Sequence, residues 1–522
     1  MVGGIQYQFL RASPERLPMS TNTSSTVKFK PFDAETAEIY RYRVQAGVNL
    51  GSVFVLERWC CPPSLSSGVS DKPWESEIDF LEACGTIEHA RESLEAYWQT
   101  AIKESDFKFL ASIGINSVRL PIGYWILGRD YMTGPFERFK GVYDSAWNQF
   151  LSVISMADRF KIGVLVDLHA APGGQNKQTH CGISTKKAEV LEDANRLRTL
   201  KVLKALASAL APINNVIGLE LLNEADDDSS LQVSPLQDFY KAACKEIRDA
   251  SPKINLPIYI GDSWKMESYS RLIASIQDEF NFVVLDTHQY FCHNEDDHKK
   301  TAAEHTQNVK GIIKEKIQTN GATIRKNIVV GEWSVVLNSA SIGEGHDEKQ
   351  EMSKFGSVEL KTWNDVCPGN YIWNYRSGDD NWYWSFVYCH RTGVLPNRFN
   401  NGTLPQPVVL ETVSDVLRDI YKKESLQAAQ IAHVEYWRTK DVNVQDMLWQ
   451  YNKGFQRGYD VAVRFLESWA SRVGFIDQLA NDYTIKFSKE EGQSTKDSWQ
   501  YDHGFIQGVM AVDQAILRKS SG

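Results

Sequence analysis

No run of about 20 apolar residues occurs in the 522-residue chain, so nothing reads as a membrane span. The first 28 residues are polar and turn-rich and contain no apolar core of the kind a secretory signal carries. Cysteine is sparse. Eight are scattered over 522 residues (Cys60, Cys61, Cys84, Cys181, Cys244, Cys292, Cys367 and Cys389), with no CxxC pair and no secreted disulfide pattern. The two Asn-x-Ser/Thr sequons, at Asn22 and Asn401, therefore read as unused, and a cytoplasmic protein is expected. A basic excess is also lacking: the net charge is −9, which argues against a nucleic-acid partner. What the chain does have is aromatics, fifteen of them tryptophan, enough for a large core or a sugar-binding cleft.

Two stretches share one form. Gly218-Leu219-Glu220-Leu221-Leu222-Asn223-Glu224 and Ile328-Val329-Val330-Gly331-Glu332 are apolar runs that end on a glutamate. A carboxylate at the end of a buried strand is costly unless the strand opens into a site. Two of them suggest a pair of working carboxylates at the C-terminal strand ends of a parallel barrel. Apolar strands alternating with helical stretches fit that picture. Strands are expected near 42–51, 115–121, 162–169, 218–225, 257–261, 282–288, 327–334 and, as the eighth, 381–386. A long helix is expected over 88–113. The expected architecture is thus α/β: a (β/α)8 TIM barrel over 41–403, preceded by a flexible arm over 1–40 and followed by a helical domain over 404–522.

Leu404-Pro405-Gln406-Pro407 reads as the linker to that last domain, which carries a duplication. Trp449-Gln450-Tyr451-Asn452-Lys453-Gly454-Phe455-Gln456-Arg457-Gly458 recurs as Trp499-Gln500-Tyr501-Asp502-His503-Gly504-Phe505-Ile506-Gln507-Gly508. Glycines four apart on one helical face favour close helix packing, with Tyr451, Phe455, Tyr501 and Phe505 buried. The alternative is a small recognition module.

The strand ends together offer Arg119, His169, Asn223, Glu224, His288, Tyr290, Glu332 and Trp384. Such a set suits glycoside hydrolysis by two carboxylates. Glu224 is the candidate acid, expected to need a raised pKa, and Glu332 the candidate nucleophile. Arg119 and Tyr290 would keep Glu332 charged, Asn223 would hold a sugar hydroxyl and Trp384 would face a pyranose ring.

The sequence resembles glycoside hydrolase family 5, in the group of fungal exo-β-1,3-glucanases. The resemblance rests on Gly47-Val48-Asn49-Leu50-Gly51, Arg119-Leu120-Pro121-Ile122-Gly123-Tyr124-Trp125, His169-Ala170-Ala171-Pro172-Gly173-Gly174-Gln175-Asn176, Leu222-Asn223-Glu224, His288-Gln289-Tyr290 and Gly331-Glu332-Trp333. It implies a retaining mechanism without metal or other cofactor, and a role for Glu57 in binding the terminal glucose. Where the secreted members of the group carry two clamping phenylalanines, this chain has Gln178 and His293, with Phe291 nearby as a substitute ring. The expectation is a retaining β-glucosidase acting on β-1,3-glucan or related glucosides. Alternatives are a glucosidase of small aryl, flavonoid or steryl glucosides, and a non-catalytic glucan-binding or scaffold protein.

Overall fold

The structure is a computed structural model and describes residues 27–66, 69, 74–228, 234–378, 382–399 and 401–520. The first 26 residues of the expected arm, the Asn22 sequon and Asn381 lie outside the described residues. Eight parallel strands close on themselves in chain order: β1 (Gln45–Asn49), β2 (Ser117–Gly123), β3 (Gly163–Ala170), β4 (Val216–Glu220), β5 (Ile258–Gly261), β6 (Val283–Phe291), β7 (Ile328–Leu337) and β8 (Gly369–Ile372). Their residues are almost all buried, because helices cover the outside and side chains fill the inside. The barrel is sealed by the β1–β8 pairing, Gln45↔Gly369 through Val48↔Ile372.

Four expectations are corrected. The eighth strand is Gly369–Ile372, not 381–386. The later segment is rich in aromatics, but Trp382 is exposed and Ser385 is already the N-cap of the helix Phe386–Thr392. The 88–113 helix is two, Ile87–Ala101 and Glu104–Ser112. Ile102 turns extended, and the Asp106 carboxylate accepts from the Lys103 N–H at 2.7 Å to start the second. Residues 34–40 are not a flexible arm, since Ala34–Tyr42 is a helix with Tyr40 fully buried. The 404–407 segment is no free linker either: Leu404 is buried, its N–H bonds the Ala470 carbonyl at 3.0 Å, and a helix begins at Gln406.

The C-terminal helices close the N-terminal mouth of the barrel. Asn327, just ahead of β7, donates to Gln478 at 3.0 Å, and Asn281, ahead of β6, donates to Asp482 at 2.9 Å. Tyr42 hydrogen-bonds Asp482, and the Gly474 N–H reaches the Tyr42 carbonyl at 2.7 Å. The opposite, C-terminal mouth stays open, and the strand-end carboxylates stand there. The two copies of the duplication are the helices Leu448–Trp469 and Trp499–Ser520, laid side by side and parallel. A Cβ on Gly454 would run into the Tyr501 carbonyl, and one on Gly504 into the Tyr451 carbonyl, so the contact is reciprocal. Tyr451, Phe455, Tyr501 and Phe505 are buried in it.

Candidate active site

Arg119 organises the floor of the open mouth. It sits on β2 pointing inward and is fully buried. Its Nη1 donates to Glu332 Oε1 at 2.8 Å and to Asn49 Oδ1 at 3.1 Å. Its Nε and Nη2 grip Glu220 at 2.7 and 3.1 Å, and Nη2 also reaches Asn223 Oδ1 at 2.8 Å. Asp167 lies 3.1 Å from the same nitrogen. Burial penalises the cation, but Asp167, Glu220 and Glu332 outweigh that and keep the guanidinium charged.

Glu332 on β7 is held at both oxygens, by Arg119 on Oε1 and by the Tyr290 hydroxyl on Oε2 at 2.7 Å. Glu224 stands beyond the end of β4 rather than on it. The strand stops at Glu220, and Glu224 adopts a left-handed backbone, φ 46°. A non-glycine residue held there is strained, and such strain gathers at functional sites. The turn aims the carboxylate at Glu332. One oxygen of each glutamate and one nitrogen of His288 all lie within 4.8 Å of one another.

His288 on β6 bridges the pair, with Nδ1 2.8 Å from Glu224 Oε1 and 3.4 Å from Glu332 Oε2. Burial disfavours the imidazolium, but Glu332 and then Glu224 attract it, and its pKa rises to about 10. Glu224 shows the reverse. Burial would raise its pKa, yet the hydrogen bond and charge of His288, helped by His180, bring it down to about 2. The direction is opposite to the raised pKa expected for Glu224: His288 favours its ionised form, and the two groups stand close enough to share one proton.

The remaining predicted residues gather around this pair. His169 on β3 has Nδ1 2.7 Å from Asp167, and its pKa is lowered to about 4 by burial, with Arg119 adding to it. The neutral ring then donates from Nδ1 and leaves Nε2 facing Asn223 at 3.4 Å. Glu57 lies 3.9 Å from His169 and accepts from Trp59 Nε1 at 3.1 Å. Burial and the charge of Glu332 raise Glu57 to about 8, so it is a neutral acid at pH 7. Trp384 sits in the loop after β8. Its ring is 5.7 Å from Tyr290 and lies nearly parallel to His293 at 5.6 Å. Gln178 and His293 both line the cavity, whose volume is about 1020 Å³. Phe291 also lines the cavity, and its ring packs on His305 and Phe355 as well.

Sequence reasoning passed over several residues here. Asp167, Glu220 and Asp286 form an acidic layer beneath the pair. Asp286 is pushed well up by burial and by Glu220, accepts from the Gly331 N–H at 2.7 Å, and needs a glycine there because a Cβ would collide with its carboxylate. Trp373, at the true end of β8, lies parallel to His169 at 5.8 Å and lines the cavity. His180 reaches within 3.7 Å of Glu224, and Asn176 donates to the Glu224 carbonyl at 3.0 Å.

Among the described residues two triads have metal-ligand spacing, Glu220–Asp286–His288 and Glu224–His288–Glu332. Arg119 is bonded into both groups, so the anionic charge there already has a cation. The arrangement fits proton transfer and nucleophilic attack between two carboxylates rather than ion capture.

A closed barrel with paired carboxylates facing each other at its open mouth defines the class: a barrel glycoside hydrolase. Residues 83–377 match the model for cellulase (glycosyl hydrolase family 5), and the chain belongs to that family. Residues 419–516 match the glucan 1,3-beta-glucosidase 3 C-terminal domain. The chain is 30% identical over 477 residues to glucan 1,3-beta-glucosidase 3 of Schizosaccharomyces pombe, spanning 90% of this chain and 94% of that one. It is 24% identical over 532 residues to an uncharacterized glycosyl hydrolase of Saccharomyces cerevisiae, covering 98% and 99%. The crystal structure of rutinosidase from Aspergillus niger shares the fold, with a TM-score of 0.55 at 17% identity over 68% of this chain and 99% of that one.

Proposed function

We propose that the protein is a retaining β-glucosidase that releases terminal glucose from β-1,3-glucan or closely related β-glucosides. One observation carries the reading: the Glu224 and Glu332 carboxylates have oxygens within 4.8 Å. That spacing suits a covalent glycosyl-enzyme, whereas inverting enzymes hold their carboxylates about 6.5–9.5 Å apart to admit a water.

Glu332 attacks the anomeric carbon, and the ester forms as the glycosidic bond breaks. Arg119 and Tyr290 each hold one of its oxygens and fix its direction. Glu224 delivers the proton to the departing oxygen. His288, 2.8 Å away, is the source of that proton, and moving it along this hydrogen bond arms the acid. A water then takes the place of the leaving group and attacks the anomeric carbon, the ester bond to Glu332 breaks, Glu224 accepts the water's proton and returns it to His288, and glucose departs with its β configuration kept. Asn223, pinned by Arg119, faces the 2-hydroxyl. Glu57 and His169 receive hydroxyls of the same sugar, and Trp373 and Trp384 offer ring faces. The wall made by Glu57 and Trp59 supports removal of end units rather than internal cleavage. The glucan preference is supported by the name of the Schizosaccharomyces pombe relative.

A second reading, a glucosidase of small aglycone glucosides, is favoured by the leaving-group side of the cavity. There Gln178 and His293 stand in a polar rim, and Trp264 is exposed beside them. Laminari-oligosaccharides compared with aryl and steryl glucosides separate the two, with product anomers followed by NMR. Initial release of α-glucose would refute retention. Turnover of the aryl or steryl substrates alone would replace the glucan reading by the second.

A further inference from the structure

The two halves of the C-terminal repeat match in their contacts but not in their side chains. His433, on the helix Asp419–Arg438, stacks on Tyr451 at 4.2 Å and meets Trp499 of the other copy at 6.0 Å. Phe487, on the helix Ile476–Glu491, stacks on Tyr501 at 4.1 Å and meets Trp449 at 5.9 Å. Gln430 bonds Asn452 as Thr484 bonds Asp502. His433 and Phe487 are therefore equivalent positions. So are the residues one turn to either side: Ala429 with Tyr483, and Trp437 with Glu491.

On the Phe487 side the surface is filled. The Tyr483 ring packs on Phe505 at 5.0 Å, Arg457 lies 5.3 Å over that ring, and Lys453 pairs with Glu491 at 2.8 Å. On the His433 side an alanine stands where Tyr483 would be. Lys453 and Glu491 become His503 and Trp437, stacked at 5.8 Å, and Arg457 becomes Gln507. The result is a cavity of about 330 Å³. His433 and Tyr451 line it together with Ala429, Trp437, His503 and Gln507, and Tyr436 stands exposed at its edge.

We propose that this cavity binds one pyranose ring of a neutral saccharide. Among the described residues no carboxylate, lysine or arginine lines it, so a charged ligand would find no fixed counter-charge. Burial keeps both His433 and His503 below the ordinary histidine range, hence neutral at pH 7. Flat aromatic faces suit the C–H face of a sugar, and the imidazoles, the Gln507 amide and the Tyr436 hydroxyl suit its hydroxyls. His433 is buried with the Gln500 side chain beside its imidazole, and its Nε2 makes no hydrogen bond of ordinary length among the described residues. The volume lies at the lower end of the roughly 300–1,000 Å³ of small-molecule sites, which favours a single ring over a multi-ring aglycone. The helices that form it belong to the region closing the N-terminal mouth, so it is not a branch of the catalytic cleft. The choice of a sugar rests on the glycosidase reading above; the existence of the site rests on the broken symmetry.

The test uses the full chain carrying Glu332→Gln, titrated with laminaribiose while the imidazole proton signals of His433 and His503, assigned by substitution, are followed by NMR. Both signals are expected to shift saturably. Adding Ala429→Tyr, which places in the cavity the ring present at Tyr483, abolishes the shifts. Ala429→Tyr alone leaves hydrolysis of an aryl β-glucoside unchanged. Should Ala429→Tyr lower the Tm, Trp437→Ala serves instead and weakens the titration about tenfold by removing a stacking face. Signals that do not respond to laminaribiose, that respond equally in the filled or truncated chain, or that shift with phenol but not with laminaribiose overturn the proposal. Loss of hydrolysis in the parent chain bears only on the carboxylate pair, because these two histidines report on the distant cavity alone.

Discussion

His288 Nδ1 stands 2.8 Å from Glu224 Oε1, close enough for the two to share one proton, and the charge of Glu332 helps hold that proton on the imidazole. A histidine whose folded pKa is raised, from 6.5 to about 10, adds stability that is complete below about pH 6.5 and is lost as the pH climbs toward 10. Glu224, lowered from 4.5 to about 2, adds stability that is present above 4.5 and is lost as the pH falls toward 2. We therefore expect His288→Gln to lower the Tm most between about pH 4.5 and 6.5, with the gap to wild type closing by pH 10. Thermal melts across that range check it. A gap independent of pH would mean that His288 is neutral in the folded protein.

Glu332→Gln is expected to reduce turnover by about 10⁴-fold or more while substrate still binds, since the amide cannot form the glycosyl ester. A 2-fluoroglucoside with a good leaving group should label wild type at Glu332. Peptide mass spectrometry locates the label, and labelling of any other residue removes Glu332 from this role.

Glu224→Ala should lose most activity on glucan yet keep it on aryl glucosides with good leaving groups, which need no acid. Azide should then speed turnover and yield the β-azide, because it enters on the face that Glu224 serves. An α-azide, or no rescue, would contradict the acid/base assignment.

Much of the site could be read from strand ends. His169 stands one residue from the end of β3, and Arg119, His288 and Glu332 lie within β2, β6 and β7, each a polar residue that stands out beside an apolar run. The layer below carried the same signal less visibly. Asp167 and Glu220 lie inside the runs Val164–Leu168 and Leu219–Leu221, and Asp286 directly follows the run Val283–Leu285, where strand alternation points all three into the barrel beside Arg119. Trp373 went unseen because β8 is only four residues long and the aromatic-rich segment after it looks more like a strand. The proton balance between Glu224 and His288 had no local signature at all. It depends on a left-handed turn at Glu224 and on the register that sets β6 beside β7.

Glu57 offers a pH test of substrate binding. Its pKa is raised to about 8, by burial first and then by Glu332, so near neutrality it meets the sugar as an uncharged acid. Glu57→Gln imitates that form and should keep kcat/KM at pH 7 within about tenfold of wild type, whereas Glu57→Ala should raise KM by more than that through lost hydrogen bonds. In wild type, kcat/KM should decline as Glu57 ionises near pH 8, and in Glu57→Gln that limb should move to higher pH. Coincident profiles for wild type and Glu57→Gln would show that Glu57 does not govern binding.

The C-terminal repeat is open to a test of stability alone. Gly454, Gly458, Gly504 and Gly508 line the contact between the helices Leu448–Trp469 and Trp499–Ser520, and a Cβ on any of them would enter the backbone of the facing helix. Backbone cannot step aside as a flexible side chain would, so the helices must separate, and overpacking of this kind costs about 1–3 kcal/mol or more. The separation also unseats Phe455 and Phe505, both fully buried in the seam. Gly454→Val and Gly504→Val should therefore lower the Tm by similar amounts, because their contacts are reciprocal, and the double variant should lower it by less than the sum, since the first substitution already parts the helices. The carboxylate pair lies at the other mouth of the barrel, so kcat and KM measured well below the new Tm should equal those of wild type. Calorimetry and steady-state kinetics on the three variants check both halves. Unequal single effects would break the reciprocity, and altered kinetics in a fully folded variant would tie the helical region to catalysis.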